Sequence, residues 1–248
     1  MVAGVGVGPM VISRGAGHIR RTTPDRRRFP FGANLFVAEQ SCLERERQPT
    51  NVRSYWALGE KFMANAIVVV GASSGGIAPL RMITELLPRS CKATLFVVSH
   101  VGRVVNSLPE ILSWNGRLPV SLGAEGTMIE PGHIYVAPSD RHMLVTADNI
   151  ELRHSPLIHF TRPAIDPLFM SAAVAFRERV IGVILSGEGQ DGVDGLVAIK
   201  SNGGIALVQE PGEAVAPGMP QAALHADDPE RLPIEAIARR ISEFCSRT

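Results

Sequence analysis

The sequence predicts an α/β protein: a doubly wound, mostly parallel sheet with helices on both faces and an antiparallel excursion in its middle. Three observations carry this. Apolar runs rich in β-branched residues stand at residues 66–70, 93–99, 180–186 and 205–209, and an unbroken run of that length marks a strand buried on both faces. Between the runs lie segments with apolar residues at helical spacing, and strands that alternate with helices form parallel crossovers. Glycine-rich turns follow the first and third runs, GASSGG at residues 71–76 and GEGQDG at 187–192, at the carboxyl ends of strands where open α/β sheets hold ligands.

The elements follow in order. After the first strand, Ile77, Leu80, Ile83, Leu86 and Leu87 keep helical spacing until Pro88, which ends the helix because it lacks an amide donor. The second strand spans 93–99, and a helix follows around 107–114. Short strand-like pieces at 119–121, 133–137 and 143–146 make the middle excursion, and a helix is expected after Pro167. The strand at 180–186, the helix at 193–201, the strand at 205–209 and a closing helix at 234–244 complete the pattern.

The first 62 residues differ in character. Residues 1–60 hold nine arginines and five acidic residues, and Gly, Pro and Arg interrupt every apolar cluster. Such a segment buries too little surface to offset the entropy of ordering, so it is expected to be disordered. A basic arm for an anionic surface is the alternative, and Met63, just before the first strand, is a candidate start. The expected division is therefore a basic segment, 1–62, and a catalytic domain, 63–248.

Composition narrows the class. The 248 residues are 45% hydrophobic and 20% charged with a formal charge of +1, which argues against a strongly basic nucleic-acid binder. No run approaches the ~18 apolar residues of a membrane helix, so no direct insertion is expected. Arg14, the first basic residue, follows the apolar opening where a signal peptide would place it before. Cys42, Cys91 and Cys245 are odd in number and lack ligand spacing, so neither a disulfide framework nor a metal site is expected, and a cytoplasmic location fits.

The chemistry gathers at strand ends. Gly71-Ala72-Ser73-Ser74-Gly75 has the form G-x-S-x-G between a buried strand and a helix, where a sharp turn lifts the Ser73 hydroxyl above the sheet. A hydroxyl becomes a nucleophile only with a base, and His100 stands directly after the second strand. The imidazole in turn needs a carboxylate, and Asp191 lies in the loop after the third buried strand, with Asp194 competing for the role. Each residue alone has a plainer role: capping for Ser73 and Asp191, structure for one of seven histidines. Jointly they supply Ser, His and Asp to one sheet edge.

VVVGASSGGI also looks like the turn of a short-chain, NAD(P)-binding oxidoreductase. That class carries a Tyr four residues before a Lys, whereas Tyr55 and Tyr135 are followed at that spacing by Gly59 and Ser139. The acidic residue expected about 20 residues beyond the glycines is also replaced, by His100. A catalytically silent signalling module is a further alternative, which requires the Ser-His-Asp set to be coincidental.

Several ordered motifs extend beyond the serine turn: VSH ending at His100, PGHIYVAPSDRHM at 131–143, TRPAIDPLF at 161–169, GVILSGEGQDG at 182–192, and GMPQAAL. With these, residues 66–244 resemble the catalytic domain of the chemotaxis receptor methylesterases, the CheB type. The resemblance implies a cofactor-free enzyme that hydrolyses glutamyl methyl esters on receptor signalling helices and releases methanol, with glutamine deamidation as a second activity to test. It implies Ser73 as nucleophile, His100 as base and Asp191 as the orienting acid, and no metal site. Two departures stand out. Residues 1–62 are too short and irregular for the receiver domain of phosphorylation-regulated relatives, so control by phosphorylation in cis is not expected. Glu188 occupies a position usually uncharged in the family, and a carboxylate facing an oxyanion would oppose its charge. Arg162, His142 and Asp140 are candidates for the rim of the cleft, with structural roles as the alternative.

Overall fold

The computed structural model describes residues 66–100 and 107–246; the expectations for 1–62 and for Met63 lie outside the described residues. Strand β1 (Ile67–Ala72) leads through α1 (Ile77–Leu86) to β2 (Thr94–Ser99). Then come α2 (Leu108–Ser113), β3 (Val120–Leu122), β4 (Ile134–Val136), β5 (His142–Val145) and β6 (Ile150–Arg153). The second half runs α3 (Ile165–Phe176), β7 (Val180–Ile184), α4 (Val193–Ser201), β8 (Ile205–Gln209), α5 (Gly218–Asp227), β9 (Glu230–Leu232) and α6 (Ile234–Ser246).

Seven strands form one sheet in the order β3-β4-β2-β1-β7-β8-β9, with every pairing parallel. The expected doubly wound sheet is present. The chain moves outward from β1 through β2 on one side and returns through β7 on the other, so a switch point lies at the carboxyl ends of β1 and β7. The antiparallel excursion is a separate two-stranded sheet, β5 with β6.

Burial on both faces explains the continuous apolar runs. In β1, Ile67 and Val69 point into one core and Val68 and Val70 into the other, as the two-residue period of a strand requires. The first core is closed by α3, α4 and α5 through Phe169, Leu196, Ile199 and Met219, and takes in Met143 and Ile150 of the hairpin. The second is closed by α1, α2 and α6 through Leu80, Ile83, Leu112, Ile237 and Ile241. Among the described residues, no helix is long and apolar enough to cross a membrane.

Four elements differ from expectation, the first being β6, a four-residue strand that was not expected and that pairs with β5. Helix α3 begins at Ile165, two residues before Pro167, because a proline in the first turn forfeits no intrahelical hydrogen bond. Helix α5 opens with Gly218 and contains Pro220, which hides its pattern, although it buries Met219 and Ala223. Strand β9 is three residues long and mostly exposed, and only its pairing with β8 makes it a strand.

Phe169 is fully buried on α3, whereas Val174 on the same helix is 74% exposed. Phe169→Ala is expected to cost about 3–5 kcal/mol in chemical denaturation, and Val174→Ala less than about 0.5 kcal/mol. Equal costs would mean that α3 presents a different face to the sheet.

Candidate active site

The turn after β1 is held from three sides. The Ser73 amide donates to the Ser186 carbonyl at 2.9 Å, and the Gly76 amide to the Ser73 carbonyl at 2.9 Å. Gly75 makes the reversal at φ 75°, a region a side chain rarely adopts. Ser186, buried at the end of β7, donates its hydroxyl to the Ser74 carbonyl at 2.7 Å and accepts from the Ala216 amide at 2.9 Å. Its own amide donates to Gln209 Oε1 at 2.8 Å, tying the turn to β8. A Cβ at Gly187 would lie 2.7 Å from the Ser73 Cβ and closer still to Met219 Sδ, so only glycine lets the β7 loop approach the serine this closely. Helix α1 starts beside this turn without a side-chain cap.

His100 follows β2 in register. Ala72 pairs with Ser99, and the His100 amide donates to the Ala72 carbonyl at 3.1 Å, so Ser73 and His100 leave neighbouring strands at the same level. The imidazole Nε2 lies 2.9 Å from Asp191 Oδ2. An ionised carboxylate only accepts, so Nε2 donates this bond, and in the neutral form of the ring the lone pair lies on Nδ1. Among the described residues, no hydrogen bond joins Ser73 Oγ to the imidazole. Of the three residues, the structure thus joins His100 to Asp191 directly and sets Ser73 on the adjoining strand end.

Asp191 is 3% exposed and sits at the N-terminus of α3. Its Oδ2 accepts from the Ile165 amide at 2.8 Å and from Thr161 Oγ1 at 3.4 Å, and its Oδ1 from the Asp166 amide at 3.1 Å. Burial works against ionisation, but the hydrogen bonds from His100, Ile165 and Asp166 outweigh it and hold the carboxyl below its ordinary range. Asp194, the competing residue, is exposed in the first turn of α4.

A second carboxylate escaped the sequence reading. Asp166 is 4% exposed, accepts from the Gly195 amide at 2.8 Å and contacts His159 Nε2 at 3.0 Å. Burial, aided by the nearby charge of Asp191, pushes its carboxyl above the usual range. The signal lay within TRPAIDPLF, but nothing local to that motif points Asp166 inward. Ligand atoms of His159, Asp166 and Asp191 lie within 4.8 Å of one another, the one such metal-sized group among the described residues. Both carboxylates accept hydrogen bonds from backbone amides and each meets an imidazole nitrogen.

The rim candidates have structural partners. Arg162 is bonded to Asp140 and donates to the Ser155 carbonyl at 2.7 Å. His142 is buried, with ring nitrogens at the Pro156 carbonyl and the Ala164 amide. Glu188 is exposed, and a Cβ on Gly218 would lie 2.6 Å from its Oε2. The carboxylate therefore lies against Gly218, the first residue of α5.

The glycine turn also weighs against a dinucleotide. A Cβ on Gly75 would meet Val215 Cβ at 2.5 Å and Ser186 Oγ at 2.9 Å, and one on Gly76 would meet the Ala72 Cβ at 2.7 Å. The chain's own atoms fill the space that a pyrophosphate-binding turn leaves open.

A parallel α/β sheet with an imidazole–carboxylate pair and a strand-end serine turn at its switch point places the chain among α/β proteins built like hydrolases. The CheB methylesterase family profile matches residues 68–241, and the chain belongs to that family. It is 38% identical, over 73% of its length and 54% of the relative's, to protein-glutamate methylesterase/protein-glutamine glutaminase 3 of Anaeromyxobacter dehalogenans. A relative of Pyrococcus horikoshii, named protein-glutamate methylesterase/protein-glutamine glutaminase, is 37% identical over 65% of the chain and 45% of its own length. The chain thus spans about half the length of these curated relatives. The crystal structure of the Thermotoga maritima CheB methylesterase catalytic domain superposes with a TM-score of 0.69 at 33% identity, covering 72% of this chain and 98% of that one.

The depressed Asp191 carboxyl has a consequence for stability. An acid held below its unfolded value, near 3.9 for Asp, adds stability that is complete above that value. The contribution disappears as pH falls through the lower folded-state value. Urea midpoints from pH 6 to pH 2 are therefore expected to fall more steeply for the natural chain than for Asp191→Asn. Parallel curves would show that Asp191 is not ionised among these donors.

Proposed function

We propose that this chain is a serine-type ester hydrolase that removes methyl groups from glutamyl side chains of chemotaxis receptor signalling helices, releasing methanol. The observation that carries the proposal is the pair of His100 with the buried Asp191, 2.9 Å apart, one strand from the turn that presents Ser73. In this scheme His100 Nδ1 takes the Ser73 proton as Oγ attacks the ester carbonyl. Asp191 fixes the tautomer and supports the imidazolium that forms. Amides at the start of α1, which has no side-chain cap, receive the oxyanion in this scheme. The imidazolium then protonates departing methanol, and a water repeats the path to free the glutamate. Contact between Ser73 and His100 forms once substrate fills the cleft, since catalytic hydrogen bonds often tighten only in the complex. These steps draw only on side chains and amides of the chain.

The same centre serves glutamine deamidation, with ammonia leaving in place of methanol, and the curated relatives carry both activities in their names. A protein partner fits the surroundings of the turn. Val215, packed over Gly75, is 81% exposed, and Phe160, next to the Asp191-bound Thr161, is 95% exposed. Exposed apolar side chains beside the serine turn and next to Thr161 suit the face of a helix.

Methanol release from methylated receptor helices tests the proposal. Ser73→Ala is expected to abolish it with an unchanged thermal midpoint; activity retained in Ser73→Ala but lost in Ser74→Ala would assign the nucleophile to the wrong serine. Asp191→Asn is expected to lower kcat by about 10⁴, the size known for loss of the orienting acid, and Asp194→Asn by less than about twofold. Equal small effects would remove Asp191 from the mechanism.

A further inference from the structure

Cys91 and Cys245 stand far apart in sequence and nowhere near the serine turn, yet their sulfurs lie 2.6 Å from each other. Cys91 is buried in the loop between α1 and β2, its amide donating to the Pro88 carbonyl at 3.0 Å. Cys245 is half-buried in the last turn of α6. Both belong to the core on the α1, α2 and α6 side of the sheet, whereas Asp191 is bonded to α3 on the other side. Helix α6 is anchored by Ile234, Ile237, Ala238 and Ile241. Beyond Ile241, only Phe244 and Cys245 reach the core, and they are partly buried.

We propose that Cys91 and Cys245 are a covalent modification site, at which mild oxidation forms a disulfide that staples the end of α6 to the entry of β2. The chemistry balances with hydrogen peroxide as oxidant. One sulfur of the pair, as thiolate, attacks a peroxide oxygen; the O–O bond breaks, a sulfenic acid forms and, after protonation, one water leaves. The second thiol then attacks that sulfur, the S–S bond forms, the S–OH bond breaks, and the hydroxide departs as water with the second thiol's proton. Two thiols have lost two electrons to one peroxide. Cys245, half-exposed, opens the pair to a small oxidant, and its partner is already in contact, so the sulfenic acid is resolved before further oxidation. The hydrogen bond from Cys245 lowers the Cys91 thiol, and the same bond together with burial pushes Cys245 up. Ionisation is therefore favoured at Cys91 over Cys245, and the thiolate is the reactive form.

The residues are 154 positions apart, so the bridge constrains a long loop of the unfolded chain and raises the thermal midpoint on the order of 10 °C. The bond lies on the core opposite α3, so activity at moderate temperature is expected to change by less than about twofold.

The test treats the full-length purified chain with stoichiometric hydrogen peroxide, with and without later dithiothreitol. The expected result is a mass loss of two hydrogens, a non-reducing peptide map that joins Cys91 to Cys245, and a raised midpoint that dithiothreitol reverses. Cys42→Ser is expected to behave identically, and Cys91→Ser and Cys245→Ser to lose the mass change. Should either serine variant fail to fold, the peptide map of the natural chain decides alone. A bridge through Cys42, sulfinic acid in place of a bridge, or two thiols that alkylate at unchanged rates after peroxide would overturn the proposal.

Discussion

Asp191 is a carboxylate with almost no access to water, and the surrounding architecture follows from keeping it ionised there. A bare buried charge would cost several kcal/mol and would protonate instead. Three elements remove that cost: α3 aims the amides of Ile165 and Asp166 at the two oxygens, Thr161 adds a hydroxyl, and β2 brings the His100 imidazole. Losing any of these donors weakens the compensation of the charge. The placement of α3 across the sheet is therefore as much an electrostatic requirement as an apolar one.

The apolar requirement points the same way. Gly195 brings α4 close against Phe169, where a Cβ would collide with that side chain, and Phe169 and Ile165 seat α3 on the sheet. The seating fixes the first turn of α3, and the first turn holds Asp191. Packing in the core thus sets the geometry of a charged group at its edge, in the way a rigid scaffold positions polar groups without ordering them at the moment of reaction. Ser186 does the corresponding work for the serine turn. The carbonyl and the hydroxyl of that residue bind Ser73 and Ser74 in the β1–α1 turn, and the hydroxyl also accepts from Ala216.

Asp166 shows how close the arrangement runs to conflict. The Asp191 carboxylate accepts the amides at the start of α3 and the Asp166 carboxylate that of Gly195 in the first turn of α4, and the two are pushed in opposite directions: Asp191 down, Asp166 up. Neighbouring like charges favour such a division, since ionising one makes ionising the other harder. His159 and the Gly195 amide satisfy the second group, and the difference leaves Asp191 as the carboxylate committed to His100.

Much of this was legible in the sequence alone. The continuous apolar runs at 66–70, 93–99, 180–186 and 205–209 announce strands buried on both faces, because only a covered sheet tolerates them, and the alternation with helical spacing makes the sheet parallel. Ser73, His100 and Asp191 stand out because each follows such a run. The sequence left Asp191 and Asp194 in competition; the fold turns Asp191 toward His100 and Asp194 toward solvent. Helix α5 and strand β9 were not legible, since a proline in the first turn and a three-residue edge strand carry no periodic signal. Nor were Asp166, Ser186 and Gln209, or the meeting of Cys91 with Cys245. Patterns of period two or 3.6 report which face of an element is buried, because neighbours along one element share a face. Which hydrogen-bond or sulfur partner waits on that face depends on residues dozens to more than a hundred positions away, and only the tertiary structure brings those together.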